Sequence, residues 1–145
     1  MNRERTPTAL VVDDNREHGQ ALAKTLERAG YQVGTAGDGR EALAILADRP
    51  FDLVITDLRM PHMDGMDLLR AVRAQGSPMA VIIITAFGEW TTYLTAMNSG
   101  AVDYLNKPVR REDLLVAARK ALARRGIRAP SACSNNTAEV GGALP

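Results

Sequence analysis

FDLVITDLRMPHMDG, residues 51–65, runs from an unbroken apolar segment into a charge, a proline and a glycine. Leu53 to Thr56 favour β structure and do not alternate with polar residues, as in a strand covered on both faces. Such a strand belongs in the middle of a parallel sheet, with Asp57 at its carboxyl end. ALVV at 9–12 and AVIIIT at 80–85 are of the same kind and supply two more central strands. YQVGTA at 31–36 and AVDYL at 101–105 come closer to alternation, as half-exposed edge strands do.

Between these runs apolar residues recur at helical spacing. Leu22, Leu26 and Ala29 form one set, Trp90, Leu94 and Met97 a second, and Leu115, Ala118 and Leu122 a third, each predicting one buried face. Gly30, Gly76, Gly100 and Gly126 each follow a helical pattern, where a left-handed terminal residue costs glycine least. Pro50 stops the helix around 40–47. Five strands alternating with five helices give an α/β fold, a doubly wound five-stranded parallel sheet with right-handed crossovers. With strands two and five at the edges, the order is the flavodoxin-like 2-1-3-4-5. Ligands in such sheets bind where the chain reverses direction, so function is expected after residues 12 and 56.

Residues 8–125 are expected to form the domain, 1–7 an N-terminal extension and 126–145 a disordered tail without periodicity. No output segment follows the fifth helix, so the chain is either a stand-alone protein or a piece of a longer one; the unpatterned tail favours a natural end. The 145 residues carry 18 basic and 17 acidic side chains, a formal charge of +1, so no global field draws in nucleic acid or an anionic membrane. AVIII at 80–84 falls well short of the roughly 20 residues of a membrane helix. The polar N-terminus lacks a secretory signal and Cys133 is the one cysteine, which together predict a cytoplasmic protein. The sequon at Asn135 is then a chance match.

The predicted topology brings Asp13, Asp14 and Asp57 to one rim, with Thr85 ending strand four and Lys107-Pro108 following strand five. Three neighbouring carboxylates repel unless a cation neutralises them, and a divalent ion with Lys107 offers about three positive charges against three negative ones. An all-oxygen donor set favours Mg2+ or Mn2+ over zinc. A carboxylate beside such an ion can act as nucleophile toward a phosphoryl group, while Thr85 and Lys107 can hold its oxygens.

VVDDN at 11–15, TDLRMPHMDG at 56–65, IITA at 83–86 and DYLNKP at 103–108 together resemble the receiver domain of two-component response regulators, over residues 8–125. The resemblance implies a phosphoryl-accepting switch in which Asp57 is phosphorylated by a sensor histidine kinase or phosphotransfer protein. It implies that Asp14 and Asp57 bind Mg2+ directly with the main-chain carbonyl of Arg59, and that Asp13 acts through water. Thr85 and Lys107 would bind the phosphoryl oxygens. Tyr104 would fill the space that Thr85 leaves, remodelling the face of helix 4, strand 5 and helix 5 toward a downstream protein target. The domain would act on no external substrate, promoting only its own phosphorylation and dephosphorylation.

Two other readings compete: an aspartyl-phosphate phosphohydrolase and a phosphorylation-independent interaction module. The first characteristically carries a second acid two positions after its nucleophile, where this chain has Arg59. The resemblance implies that Arg59 and Phe87, two residues after Asp57 and Thr85, stand where side chains tune dephosphorylation, and their bulk is expected to hinder water and prolong the phosphorylated state. Asp14 or Asn15 can cap the first helix. By the same resemblance, Arg110 stands where receivers often carry an acidic cap for the fifth helix, leaving its first turn to Glu112 and Asp113. Trp90 and Tyr93 suit core packing or a partner surface equally. His18 and His62 read as ordinary boundary residues without metal-ligand company. Arg119, Lys120, Arg124, Arg125 and Arg128 read as a solvated complement to the carboxyl end of the fifth helix.

Overall fold

A computed structural model describes residues 5–86 and 88–130. Its elements are β1 (Thr8–Val12), α1 (Arg16–Arg28), β2 (Gln32–Ala36), α2 (Gly39–Asp48), β3 (Leu53–Asp57), α3 (Gly65–Ala74), β4 (Ala80–Thr85), α4 (Trp90–Asn98), β5 (Asp103–Asn106) and α5 (Arg111–Arg124). The strands pair in parallel in the order β2-β1-β3-β4-β5, as the sequence predicts.

The lack of alternation in β1, β3 and β4 has a plain cause: both faces of the sheet are covered. Ala9, Val11, Leu53, Ile55, Ile82 and Ile84 pack with α1 and α5 on one side. Leu10, Val12, Val54, Val81 and Ile83 pack with α2, α3 and α4 on the other. Each Val, Leu or Ile among them contributes about 1.5–3 kcal/mol on full burial. The edge strands β2 and β5 are only partly buried, in keeping with their mixed composition. Gly30, Gly76, Gly100 and Gly126 all have positive φ where their helices end. Among the described residues no helix is long and apolar enough to cross a membrane.

The fourth helix departs from its expected face. Trp90 is 70% exposed and Leu94 40%, Met97 is half-buried, and Ala96 is the buried residue of α4. The short helix seats its smallest residue against the protein and leaves the large ones outside, where Trp90 stacks on Tyr93 at 5.5 Å. In α5 the buried stripe is Leu114, Ala117, Ala118, Ala121 and Leu122, so Leu115 is half-buried at its margin. Arg110 makes no side-chain cap, and Glu112 and Asp113 occupy the first turn.

At the end of the sheet away from Asp57, Asp52 receives both guanidinium nitrogens of Arg5, at 2.9 and 3.1 Å, and the N–H of Thr8 at 2.9 Å. Burial pushes the Asp52 carboxyl up, but these partners prevail and hold it below the usual carboxylate range. Gln32 N–H donates to Pro7 O, and Ile127 packs on the core, so residues just outside 8–125 on both sides are tied to the sheet and its helices. Residues 131–145, with Cys133 and the sequon, lie outside the described residues.

Arg73 is a further tie that periodicity does not show. Its guanidinium donates to the carbonyls of Ser77 at 3.1 Å, Met79 at 2.7 Å and Gly100 at 2.6 Å, joining the end of α3 to the loops before β4 and β5. Arg73→Ala leaves those acceptors without their charged donor and should lower stability by about 2 kcal/mol. Chemical denaturation reads the loss, and an unchanged midpoint would count against this role.

Candidate functional site: an acidic pocket at the carboxyl ends of the strands

Asp13 follows β1, Asp57 ends β3, Thr85 ends β4, and Lys107 follows β5 by one residue. The register sets Val12 beside Thr56, Asp57 beside Ile84 and Thr85 beside Asn106, so these ends lie at one level. Ligand oxygens of Asp13, Asp14 and Asp57 lie within 4.8 Å of one another. Lys107 Nζ stands 3.2 Å from Asp57 Oδ2 and 3.8 Å from Asp13 Oδ2. An open cavity above them is lined by Asp14, Asn15, Asp57, Arg59, Ala86 and Lys107.

Burial separates the three acids. Asp13 and Asp57 are buried and Asp14 is exposed. Burial is the chief cause that raises the Asp57 pKa above its ordinary value; the charge of Asp13 adds to it, against the pull of Lys107 and the Arg59 N–H. The two ends of β3 therefore treat an aspartate in opposite ways: Asp52 is held ionised by its partners, whereas the charge on Asp57 is disfavoured. A buried carboxylate whose charge the fold disfavours marks a functional position more often than a structural one.

Gly65, in the opening stretch, is required by close approach. A Cβ there would lie 2.5 Å from Asp57 O and 3.1 Å from Leu58 Cα, while the Gly65 N–H donates to Leu58 O at 2.9 Å. The start of α3 is thereby pressed against the end of β3. Gly65→Ala should cost about 1–3 kcal/mol by overpacking and displace the end of β3 at Asp57. Gly76→Ala is the control: its Cβ meets nothing within 4 Å, so only the cost of about 1–2 kcal/mol for a left-handed residue applies. Equal denaturation midpoints for Gly65→Ala and wild type would contradict the crowding.

Thr85 is wholly buried at the end of β4, and its carbonyl accepts the Lys107 N–H at 2.8 Å. Tyr104 is half-buried on the α3–α4 side of the sheet, its ring edge-on to Tyr93 at 5.6 Å. Its hydroxyl is enclosed and has no hydrogen-bond partner among the described residues; burial is the chief cause that raises its pKa above the ordinary value, with Glu89 and Thr92 among its neighbours. Arg59 is exposed at the rim, and Phe87 lies outside the described residues. His62 is exposed in the loop after β3 with φ 68°. Asn15 caps α1, accepting the His18 N–H at 3.0 Å.

His18 stands outside the cluster of possible ligand atoms, as expected, but it is more than a boundary residue, because its Nδ1 meets Asp13 Oδ2. The contact forms because the first turn of α1 folds back over the end of β1, a closure that spacing in the sequence does not show.

A family model for the response regulator receiver domain matches residues 9–119. The chain belongs to the response regulator receiver family. It is similar to the transcriptional regulatory protein ZraR of Escherichia coli O157:H7, 41% identical over 114 residues that make up 79% of this chain and 26% of that protein. It is also similar to the response regulator MprA of Mycolicibacterium vanbaalenii, 42% identical over 116 residues, 79% of this chain and 50% of that protein. The chain thus spans between about a quarter and a half of these two relatives. Among solved structures, a receiver domain protein from Clostridium thermocellum superposes with a TM-score of 0.79 at 38% identity, covering 83% of this chain and 97% of that one. The Vibrio cholerae chemotaxis protein CheY4 gives a TM-score of 0.77 at 35% identity, covering 81% and 100%. The protein is therefore a receiver domain of the two-component kind, a signalling module whose relatives are phosphorylated on aspartate. Such domains work with histidine kinases and typically bind Mg2+ at an acidic pocket, and this receiver carries a matching cluster in Asp13, Asp14 and Asp57.

Proposed function

We propose that Asp57 is the phosphoryl acceptor of this receiver, and that a histidine kinase or phosphotransfer protein is its donor in the cytoplasm. The observation that carries the reading is a buried carboxylate at the end of β3, with Lys107 Nζ at 3.2 Å and two further carboxylates beside it. Asp13, Asp14 and Asp57, with the main-chain carbonyl of Arg59, form a hard-oxygen set suited to Mg2+, for which Mn2+ can substitute. When bound, the ion screens the negative charge of the incoming phosphoryl group.

The residues divide the remaining work. A carboxylate oxygen of Asp57 forms the new O–P bond as the P–N bond to the donor histidine breaks, and that imidazole keeps or regains a proton. Lys107 neutralises a phosphoryl oxygen next to Asp57, and Thr85 donates a hydrogen bond to another. The movement of Thr85 opens room for Tyr104, whose enclosed hydroxyl lacks a partner among the described residues. Tyr93 and Trp90 continue the same aromatic series to the surface. A change at Tyr104 therefore reaches the α4–β5–α5 face, where a downstream protein target reads it. The domain turns over no external substrate and speeds only its own phosphorylation and dephosphorylation.

Incubation with a small phosphodonor such as acetyl phosphate tests this. One phosphoryl group per chain should appear with Mg2+ and almost none after chelation. Steady turnover of phosphate esters would instead favour a phosphohydrolase.

A further inference from the structure

Asp13 is the most enclosed member of the acidic cluster, with 1% of its side chain exposed, and both its oxygens are engaged. Oδ1 accepts the Asn15 N–H at 2.8 Å. Oδ2 meets His18 Nδ1, with Lys107 Nζ 3.8 Å away. Because the Asn15 side chain in turn accepts the His18 N–H, Asp13, Asn15 and His18 close a ring at the start of α1. A Cβ on neighbouring Gly19 would already touch Asp13 Cβ at 3.4 Å, so the helix lies directly against this acid. A carboxylate only accepts, so Nδ1 carries the imidazole proton.

We propose that His18 is a positioning residue of the acidic site, holding Asp13 Oδ2 so that the inner carboxylate keeps one orientation toward the cation and Lys107 stays directed at Asp57. The inference rests on the phosphoreceiver reading above. His18 is not itself among the ligand atoms that lie within 4.8 Å of one another, so it acts through Asp13. Its hydrogen bond occupies one lone pair of Oδ2 and leaves the other for the cation or its water. Two carboxylates compete for one ammonium, at 3.2 Å from Asp57 and 3.8 Å from Asp13. With His18 removed, Lys107 is the remaining donor near Asp13 Oδ2 among the described residues, and it is drawn away from Asp57.

The test is Mg2+ titration by calorimetry on wild type, His18→Ala and His18→Asn, with phosphorylation by acetyl phosphate at saturating Mg2+ measured in parallel. Alanine suits the helix, so folding is retained; asparagine places an amide donor near the site of Nδ1. His18→Ala should bind Mg2+ about 10-fold or more weakly, as loss of a residue that orients a ligand does. It should also be phosphorylated more slowly, and His18→Asn should recover most of both. A protected imidazole N–H signal in the metal-free wild type, absent in His18→Ala, would support the contact directly. Unchanged or tighter Mg2+ binding in His18→Ala would overturn the proposal, as would equal weakening in both variants. If wild type binds Mg2+ and is phosphorylated while the variants match it, the role of His18 alone falls. If wild type does neither, the phosphoreceiver reading falls with it.

Discussion

Asp57→Asn should accept no phosphoryl group under conditions that label the wild type, and without metal it should be the more stable protein at neutral pH. The first effect follows from losing the carboxylate oxygen proposed as the nucleophile. The second follows from the direction of the Asp57 pKa, which burial holds above the ordinary value of 3.8. In an acid with a raised folded pKa the ionised form is the disfavoured one, so its charge costs stability above that pKa. The cost declines as pH falls through the folded pKa and is gone below the unfolded value. The stability gap between variant and wild type should therefore be widest near neutrality and close on acidification. Asp52 works with the opposite sign: its lowered pKa stabilises the fold above its unfolded value, and that contribution is lost as pH falls through its folded value. Since Asp52 is common to both proteins, the difference curve isolates Asp57. Thermal unfolding across pH in a chelator reads it, and a less stable variant at neutral pH would contradict the account. With Mg2+ held by the carboxylates as proposed, the ion should raise the wild type more than the variant.

Lys107→Ala should slow phosphorylation by small donors about 100-fold or more, the usual cost of losing one aligned donor to a developing charge. Mg2+ binding should be retained or strengthened, because removing an ammonium 3.2 Å from Asp57 and 3.8 Å from Asp13 leaves the carboxylates more negative. Opposite signs in the two measurements distinguish loss of a phosphoryl-binding group from general damage to the pocket. An unchanged rate would show that Lys107 is a loop charge without a role in the chemistry. Weakened Mg2+ binding would show that it organises the acidic cluster.

The sheet was legible because helix cover on both faces shows at successive positions. Ala9 to Val12, Leu53 to Ile55 and Ala80 to Ile84 are apolar without a break, and the parallel order of their strands gathers Asp13, Asp57, Thr85 and Lys107. Helical spacing was a weaker guide. Trp90, Leu94 and Met97 have the right intervals, yet in so short a helix the small Ala96 takes the buried place and the aromatic residues stack on each other outside. The contact of His18 with Asp13 and the three carbonyls held by Arg73 depend on how a turn folds back or a loop passes by. Neither leaves a periodic trace. The crowding at Gly65 stands between these cases: MDG after a strand signals a turn, but only the 2.5 Å approach to Asp57 O explains why its third residue is glycine.

The most direct test of the central claim is to phosphorylate the wild-type chain with acetyl phosphate and Mg2+, trap the acyl phosphate by borohydride reduction, and locate the altered residue by peptide mass spectrometry. Conversion at Asp57 alone is the predicted result. Conversion at Asp13, Asp14 or another residue, with Asp57 unmodified, would contradict it.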